Sequence, residues 1–398
     1  MSQVVGEDLM VGMGYIGLDS GRLYRMRRGP KLIEAVASGT TVIINDATEG
    51  RPFRGLRVFG KSTQDGAPTP EAPVPIVSAG ESGNINVEVK GGNLFDKTGY
   101  RPEMDISIPS GTTILASLEE TADEFTVDII NVDGSTHVLS LDKSKDHRKY
   151  GTRTLTRDSR TIRFRGITET PFLAVSNEYI PYKPYRDPQS LTLATPNGLP
   201  GIPVTKDGNY TDADGQQWIC DEIDLERGKY VQRVAIEKNN GGWELKPSSD
   251  TPGRFFQHNK LTNIFSIALK KSLCNIASFT SWGAPVNDKY AFALNGHGIY
   301  FSPPKGAEIT AEELNAKLNS LSFPVVFVGE LATPIERDLT PEEIAAYKAL
   351  RTYGPTTVIT NDAGAGMEVT YVADTKAYID KKFKELNQAI VNTQIALL

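Results

Sequence analysis

Asn84-Ile85-Asn86-Val87-Glu88-Val89 alternates polar and apolar side chains with period two. Successive side chains of a strand point to opposite faces, so this run predicts a strand with one buried and one wet face. Forward of it, Glu124 to Ile130, His137 to Leu141, Thr152 to Leu155, Thr161 to Phe164 and Phe172 to Val175 are further β-rich runs between Gly, Asp and Ser turns. Strands recurring every roughly 8–12 residues predict a jelly-roll-like β-sandwich over residues 83–195. The chain therefore reads as mainly β.

Backward of that stretch, residues 61–82 form a Pro-rich linker, with four prolines in STQDGAPTPEAPVPI (62–76). Proline fixes φ and removes a donor, which makes the segment extended and semi-rigid. Residues 1–60 read as an N-terminal arm followed by strands at Thr41 to Ile44 and Arg54 to Phe59. The arm carries Arg22, Arg25, Arg27, Arg28 and Lys31, a basic run suited to docking on an acidic partner surface. One echo is visible: TTVIINDA (40–47) repeats as TTVITNDA (356–363), with seven of eight positions identical.

Beyond the sandwich, the aromatic stretch Tyr179-Ile180-Pro181-Tyr182-Lys183-Pro184-Tyr185 leads out, and residues 199–338 read as a second, mixed β-rich domain. Its good strands are Gln216 to Cys220, Tyr230 to Glu237 and Val325 to Val328, and Thr310 with Glu313 carries a capping box for a helix at 311–318. Residues 339–370 hold a helix opened by Thr340-Pro341-Glu342-Glu343, then connecting strands. In 371–398, Val372, Lys376, Ile379, Phe383, Leu386, Ile390, Thr393 and Leu397 alternate spacings of four and three. That heptad seam predicts a C-terminal helix in a self-associating, trimeric coiled coil, with Val372, Ile379, Phe383, Leu386, Ile390 and Leu397 as its apolar contacts.

Composition narrows the chemistry. The net charge of −6 argues against nucleic acid as a partner. Two cysteines, Cys220 and Cys274, cannot build a disulfide framework or a four-thiolate zinc site, and four scattered histidines show no HxxxH or HxH pair. No catalytic metal and no cofactor is expected, and the chain reads as non-enzymatic. The start lacks a signal-peptide pattern and no apolar run approaches a membrane span, so a soluble protein made in the cytoplasm is expected.

Individual motifs are weak. Gly12-Met13-Gly14-Tyr15-Ile16-Gly17 matches GxGxxG, but Leu18-Asp19-Ser20-Gly21 opens no helix after it, so it reads as a Gly-rich arm. Asp207 to Gly215 crowds oxygen ligands but lacks the sixth-position Gly and twelfth-position Glu of a calcium loop, and reads as a hairpin turn. Sugar rings stack on aromatic faces while their hydroxyls take hydrogen bonds. On that ground Trp243, Trp282, Tyr182 and Tyr185 are the candidate carbohydrate contacts.

Five stretches, taken in order, resemble minor structural, tail-fibre or baseplate (receptor-binding) proteins of tailed bacteriophages of Gram-positive bacteria. They are FRGLRVFGKSTQDGAPTPEAPVPI (53–76), GGNLFDKTGY (91–100), YIPYKPYRDPQSLTLATPNGLPGIPV (179–204), DADGQQWICDEIDLERGKYVQRV (212–234) and LATPIERDLTPEEIAAYKALRTYGPTTVITNDAGAGMEVTYVADTKAYIDKKF (331–383). The resemblance covers roughly a third of the chain and implies a virion tail protein assembled in the host cytoplasm. It further implies a carbohydrate-binding-module-like sandwich at 83–195, virion attachment through the arm, and a homotrimer that contacts other tail or baseplate proteins and host cell-surface glycan. A connector without ligand and an envelope-glycan depolymerase are the alternative readings.

Overall fold

A computed structural model describes residues 18–19, 22–23, 33–95, 103–106, 108–118, 124–142, 150–165, 171–176, 179–247, 256–258, 271–280, 288–295, 298–307 and 309–396. Arg25, Arg27, Arg28, Trp282, Leu397 and the GxGxxG at 12–17 lie outside the described residues. Arg22 falls in a short backbone pairing of Leu18–Asp19 with Arg22–Leu23.

The strands open with β1 (Glu34–Gly39), β2 (Thr41–Ile44), β3 (Gly55–Phe59) and β4 (Asn84–Gly91). Then follow β5 (Glu103–Asp105), β6 (Thr113–Leu118), β7 (Glu124–Asn131), β8 (Thr136–Asp142), β9 (Tyr150–Thr154), β10 (Ser159–Arg165) and β11 (Pro171–Val175). Next come β12 (Gln189–Ala194), β13 (Gly201–Val204), β14 (Tyr210–Thr211), β15 (Gln217–Cys220), β16 (Glu222–Asp224) and β17 (Lys229–Asn239). After these are β18 (Lys246–Pro247), β19 (Phe256–His258), β20 (Ser272–Cys274), β21 (Ser278–Phe279), β22 (Ala291–Asn295) and β23 (Gly298–Ser302). The chain closes with α1 (Ala311–Asn319), β24 (Val325–Asp338), α2 (Pro341–Ala349), β25 (Thr357–Asn361), β26 (Gly366–Val372) and α3 (Thr375–Ala396). The protein is mainly β, and no helix among the described residues is long and apolar enough to cross a membrane.

Two sheets make a central body. One is seven-stranded and curled into a half-barrel, in the order β20-β24-β17-β16-β3-β26-β1, and the other runs β12-β4-β25-β2. The period-two run that opens the sequence pattern is β4, whose Ile85, Val87 and Val89 are fully buried in the shared core with Val42, Leu56, Leu193 and Tyr371. The echo has a structural meaning. Its two copies pair antiparallel as β2 and β25, with Thr41 opposite Thr360 and Ile44 opposite Thr357, so each copy presents equivalent positions to the other.

The body carries two insertions. Residues between β4 and β12 form the sheets β9-β6-β11 and β8-β7-β10-β5, which share a core of Ile114, Val127, Ile129, Ile162 and Leu173. Residues between β17 and β24 contribute the five-stranded sheet β18-β19-β23-β22-β21 and α1, around Trp243, Phe292, Phe301 and Phe327. The strand limits therefore differ from contiguous units at 83–195 and 199–338. β4 and β12 pair with each other and, through β25, with the far end of the chain. Period-two patterning tells which face is buried and says nothing about which strand lies alongside.

The helix also starts later than its seam. Val372 is 3% exposed at the end of β26, opposite Glu34, and so belongs to the body rather than to a helical contact row. The Asp374 carboxylate accepts the Ala377 amide and caps α3 three residues further on. Ile379 is half-buried, while Phe383, Leu386 and Ile390 are 54%, 56% and 47% exposed.

Candidate binding groove

β17 and β24 pair along almost their whole length, and this long ribbon needs one irregularity. Between Gln232, opposite Ile335, and Val234, opposite Glu330, the register shifts, so residues 331 to 334 of β24 bulge out against the single residue Arg233 of β17. A bulge turns amides out of the ladder, and buried amides require acceptors. Asp221 supplies one: its Oδ1 accepts the amides of Arg233 at 2.7 Å and Val234 at 2.8 Å, and its Oδ2 accepts the Tyr230 hydroxyl at 2.7 Å. Burial raises the Asp221 carboxyl to about 6, partly offset by those hydrogen bonds. Burial and the neighbouring Asp221 push Tyr230 well above the ordinary phenol. The Arg337 guanidinium caps the assembly, 4.1 Å from the Tyr230 ring centroid.

This ribbon floors a cleft of about 990 Å³. Val234, Ile236, Val326 and Val328 line the floor, Arg337 stands towards one end and Lys238 towards the other. Pro73, Pro75 and Ile76 make one lip, and Pro196, Asn197 and Gly198 another. The lips are fixed. The Val74 amide donates to the Asn275 carbonyl at 2.8 Å, the Gln64 side chain donates to the Cys274 carbonyl at 2.8 Å, and the Leu199 amide donates to the Ala79 carbonyl at 2.6 Å. Asn275 itself spans the Pro324 carbonyl and the Val326 amide. Glu81, Asn197 and Lys238 are exposed at the cleft, and their side chains make no hydrogen bond or ion pair among the described residues.

The aromatic residues singled out from the sequence lie elsewhere. Trp243 is 3% exposed and packs edge-on against Phe301 and Phe327, so it serves the core of the second insertion rather than a sugar face. Tyr182 is half-buried against Phe172, with ring centroids 6.2 Å apart, on the outside of the first insertion. Tyr185 bridges to Asn93. None of the three lines the cleft, and the structure does not bring them together. The residues that do line it, Asp221, Tyr230, Lys238 and Arg337, left one legible trace: an acid between the apolar runs ending at Cys220 and opening at Ile223.

Within Asp207 to Gly215 the hairpin turn joins β14 to β15, and there Asp212 accepts the amides of Asp214 and Gln216, the Trp218 indole and the Lys61 ammonium. Among the described residues no three His, Cys, Asp or Glu side chains are gathered as a metal set. Cys220 and Cys274 are fully buried, and burial pushes both thiols up to about 12. No family model, curated protein or solved structure matches the chain.

The raised Asp221 carboxyl makes stability depend on pH in a definite direction. The folded state holds this proton more tightly than the unfolded chain, so its contribution is complete below about pH 4 and is lost as pH rises through about 6, amounting to about 3 kcal/mol. Asp221→Asn keeps an acceptor for both amides and a polar partner for Tyr230, and carries no charge to penalise. Urea midpoints measured at about pH 4 and about pH 7 should therefore shift in the variant's favour at the higher pH. An unchanged difference between the two proteins would refute the assignment.

Proposed function

We propose that the protein is a structural component of a bacteriophage tail or baseplate, acting in adsorption to the host surface by holding a glycan strand in the β17–β24 groove. The observation that carries this reading is the groove itself. It is walled on both sides by pinned prolines, runs along a ribbon with an aliphatic floor, and carries a few polar and charged side chains at its ends and rim. From Tyr230 to Lys238 the strand takes eight steps, roughly 26 Å at about 3.3 Å per residue, which suits several units of a linear polymer. Proline and aliphatic surfaces suit sugar-ring faces, and Asn197, Lys238 and Glu81 suit hydroxyls. In this reading the first insertion is a jelly-roll-like spacer or second binding unit, and α3 enters a trimeric coiled coil that presents three grooves together. Weak sites joined this way gain avidity without new contacts.

Titration of the protein with polysaccharide released from host envelope, against the protein fraction of the same envelope, tests the reading. Binding to the polysaccharide is expected, with no release of reducing ends. Asn197→Ala with Lys238→Ala removes two hydrogen-bonding groups of about 1 kcal/mol each and should weaken binding roughly thirty-fold. Absence of any glycan binding would leave a connector without ligand as the better description, and release of reducing ends would favour a depolymerase.

A further inference from the structure

The basic side chains along the β17–β24 ribbon divide by face. Those that do not line the groove meet acids: Lys229 reaches Asp338 at 2.7 Å, Arg233 reaches Glu222 at 3.4 Å, and Arg227 reaches Glu336 at 2.8 Å. On the groove side Arg337 and Lys238 are exposed, and neither side chain makes a hydrogen bond or ion pair among the described residues. Arg337 is held by the Tyr230 ring, 4.1 Å from its centroid, a contact that leaves the guanidinium N–H donors unused. The Asp221 carboxylate is already taken up by two amides, the Tyr230 hydroxyl and the charge of Arg233. The one further charged residue lining the cleft is Glu81, on its rim.

We infer that the groove selects a glycan bearing carboxylate or phosphate groups at wide intervals, one seated on Arg337 and another on Lys238. This rests on the groove's holding a glycan and adds the class of glycan. A neutral strand laid along the ribbon would strip water from two cations and return no partner, and a desolvated charge without a partner is costly. A densely charged strand would satisfy both cations but press its remaining charges onto Val234, Ile236, Val326 and Val328, which have nothing to pair them. It would also bring like charge to Glu81. The strand that avoids both costs is charged where the ribbon ends and neutral in the middle. Arg337 lies opposite Tyr230 and Lys238 opposite Val326. That run of eight steps is roughly 26 Å at about 3.3 Å per residue, so the charges stand several units apart. The planar fork of Arg337 suits two oxygens of one group, whereas Lys238 meets its group as a point charge.

Envelope polysaccharide separated by anion exchange into neutral and acidic fractions tests this, by calorimetry with the full chain. The acidic fraction should bind roughly tenfold more tightly, and its advantage should shrink as sodium chloride rises from about 0.05 to about 0.5 M. Hydrofluoric acid cleaves phosphodiesters, and carbodiimide with borohydride reduces carboxylates to alcohols. One of the two treatments should abolish the advantage, and so name the group. Arg337→Gln and Lys238→Gln keep a hydrogen-bonding amide and drop the charge, so each should weaken binding of the acidic fraction roughly tenfold. Lys238→Arg should recover the loss. Polyphosphate, a dense polyanion, should bind more weakly than the acidic fraction. Equal binding of the two fractions, an advantage that outlasts both treatments, or Gln variants that bind like the wild type would overturn the charge selection and leave a glycan groove standing. Polyphosphate bound as tightly as the acidic fraction would overturn the wide spacing. Binding of neither fraction would remove the glycan reading as well.

Discussion

Gly91→Ala should destabilise the protein by about 3 kcal/mol, whereas Gly364→Ala should cost about 1 kcal/mol. The two glycines differ in what a methyl group would meet. At Gly91, the last residue of β4, a Cβ would lie 2.2 Å from the Thr356 carbonyl oxygen and 2.3 Å from the Tyr353 Cβ. Neither is the loose end of a side chain, so β4 and β25 could stay paired only by moving backbone. At Gly364 nothing lies within 4 Å, and only its φ of +65° resists a side chain. The larger effect should spread, because β4 and β25 join the middle of the chain to its end. The groove lips at 73–78 and 196–198 lead into β4 and out of β12, so Gly91→Ala should also loosen ligand held there. Urea unfolding followed by tryptophan emission reads the stability. A Gly91→Ala midpoint equal to that of Gly364→Ala would show that the two strands are not closely apposed.

How much of this was legible in the residues depends on distance along the chain. Short-range signals came through well. The alternation in β4 marks its buried face, the capping boxes at Thr310 and Thr340 both form, and the spacing of Ile379, Phe383, Leu386 and Ile390 lies on one helix. The failures all involve partners far apart. Val372 fits a heptad by spacing, yet pairing with Glu34 draws it into a strand, and no local pattern announces a neighbour more than 300 residues away. The same limit hid the insertions, since strands that bracket a unit look like strands within it. Even the echo between β2 and β25, readable as a repeat, does not by itself say that its copies lie side by side.

The candidate site was less legible than the fold, for a chemical reason. Tryptophan and tyrosine attract attention as sugar platforms, but a large aromatic side chain gains more from burial than from display, and Trp243 is core. The groove is instead built around a bulge, and what marks a bulge is the acceptor that satisfies its amides. Asp221 has that role without any motif. It shows only as an acid in a strand context that should be apolar, which points to the backbone it must serve.

Phe327→Ala, in the core that β24 shares with the second insertion, is expected to cost about 4 kcal/mol. Its ring is fully buried, with centroids 5.6 Å from Phe292, 6.0 Å from Phe301 and 6.1 Å from Trp243. Phe327 also sits in β24 between Val326 and Val328, whose side chains floor the groove from the opposite face. A strand has one backbone for two faces, so relaxation into the cavity must shift the groove floor. Phe327→Ala should therefore weaken ligand binding as well as stability, although Phe327 lies on the far side of the sheet from the ligand. Val326→Ala, on the groove face itself, should weaken binding at a stability loss of only about 1 kcal/mol. Trp243 emission should shift to the red in Phe327→Ala alone. If Phe327→Ala lost stability but bound ligand like the wild type, the ligand would not lie over β24.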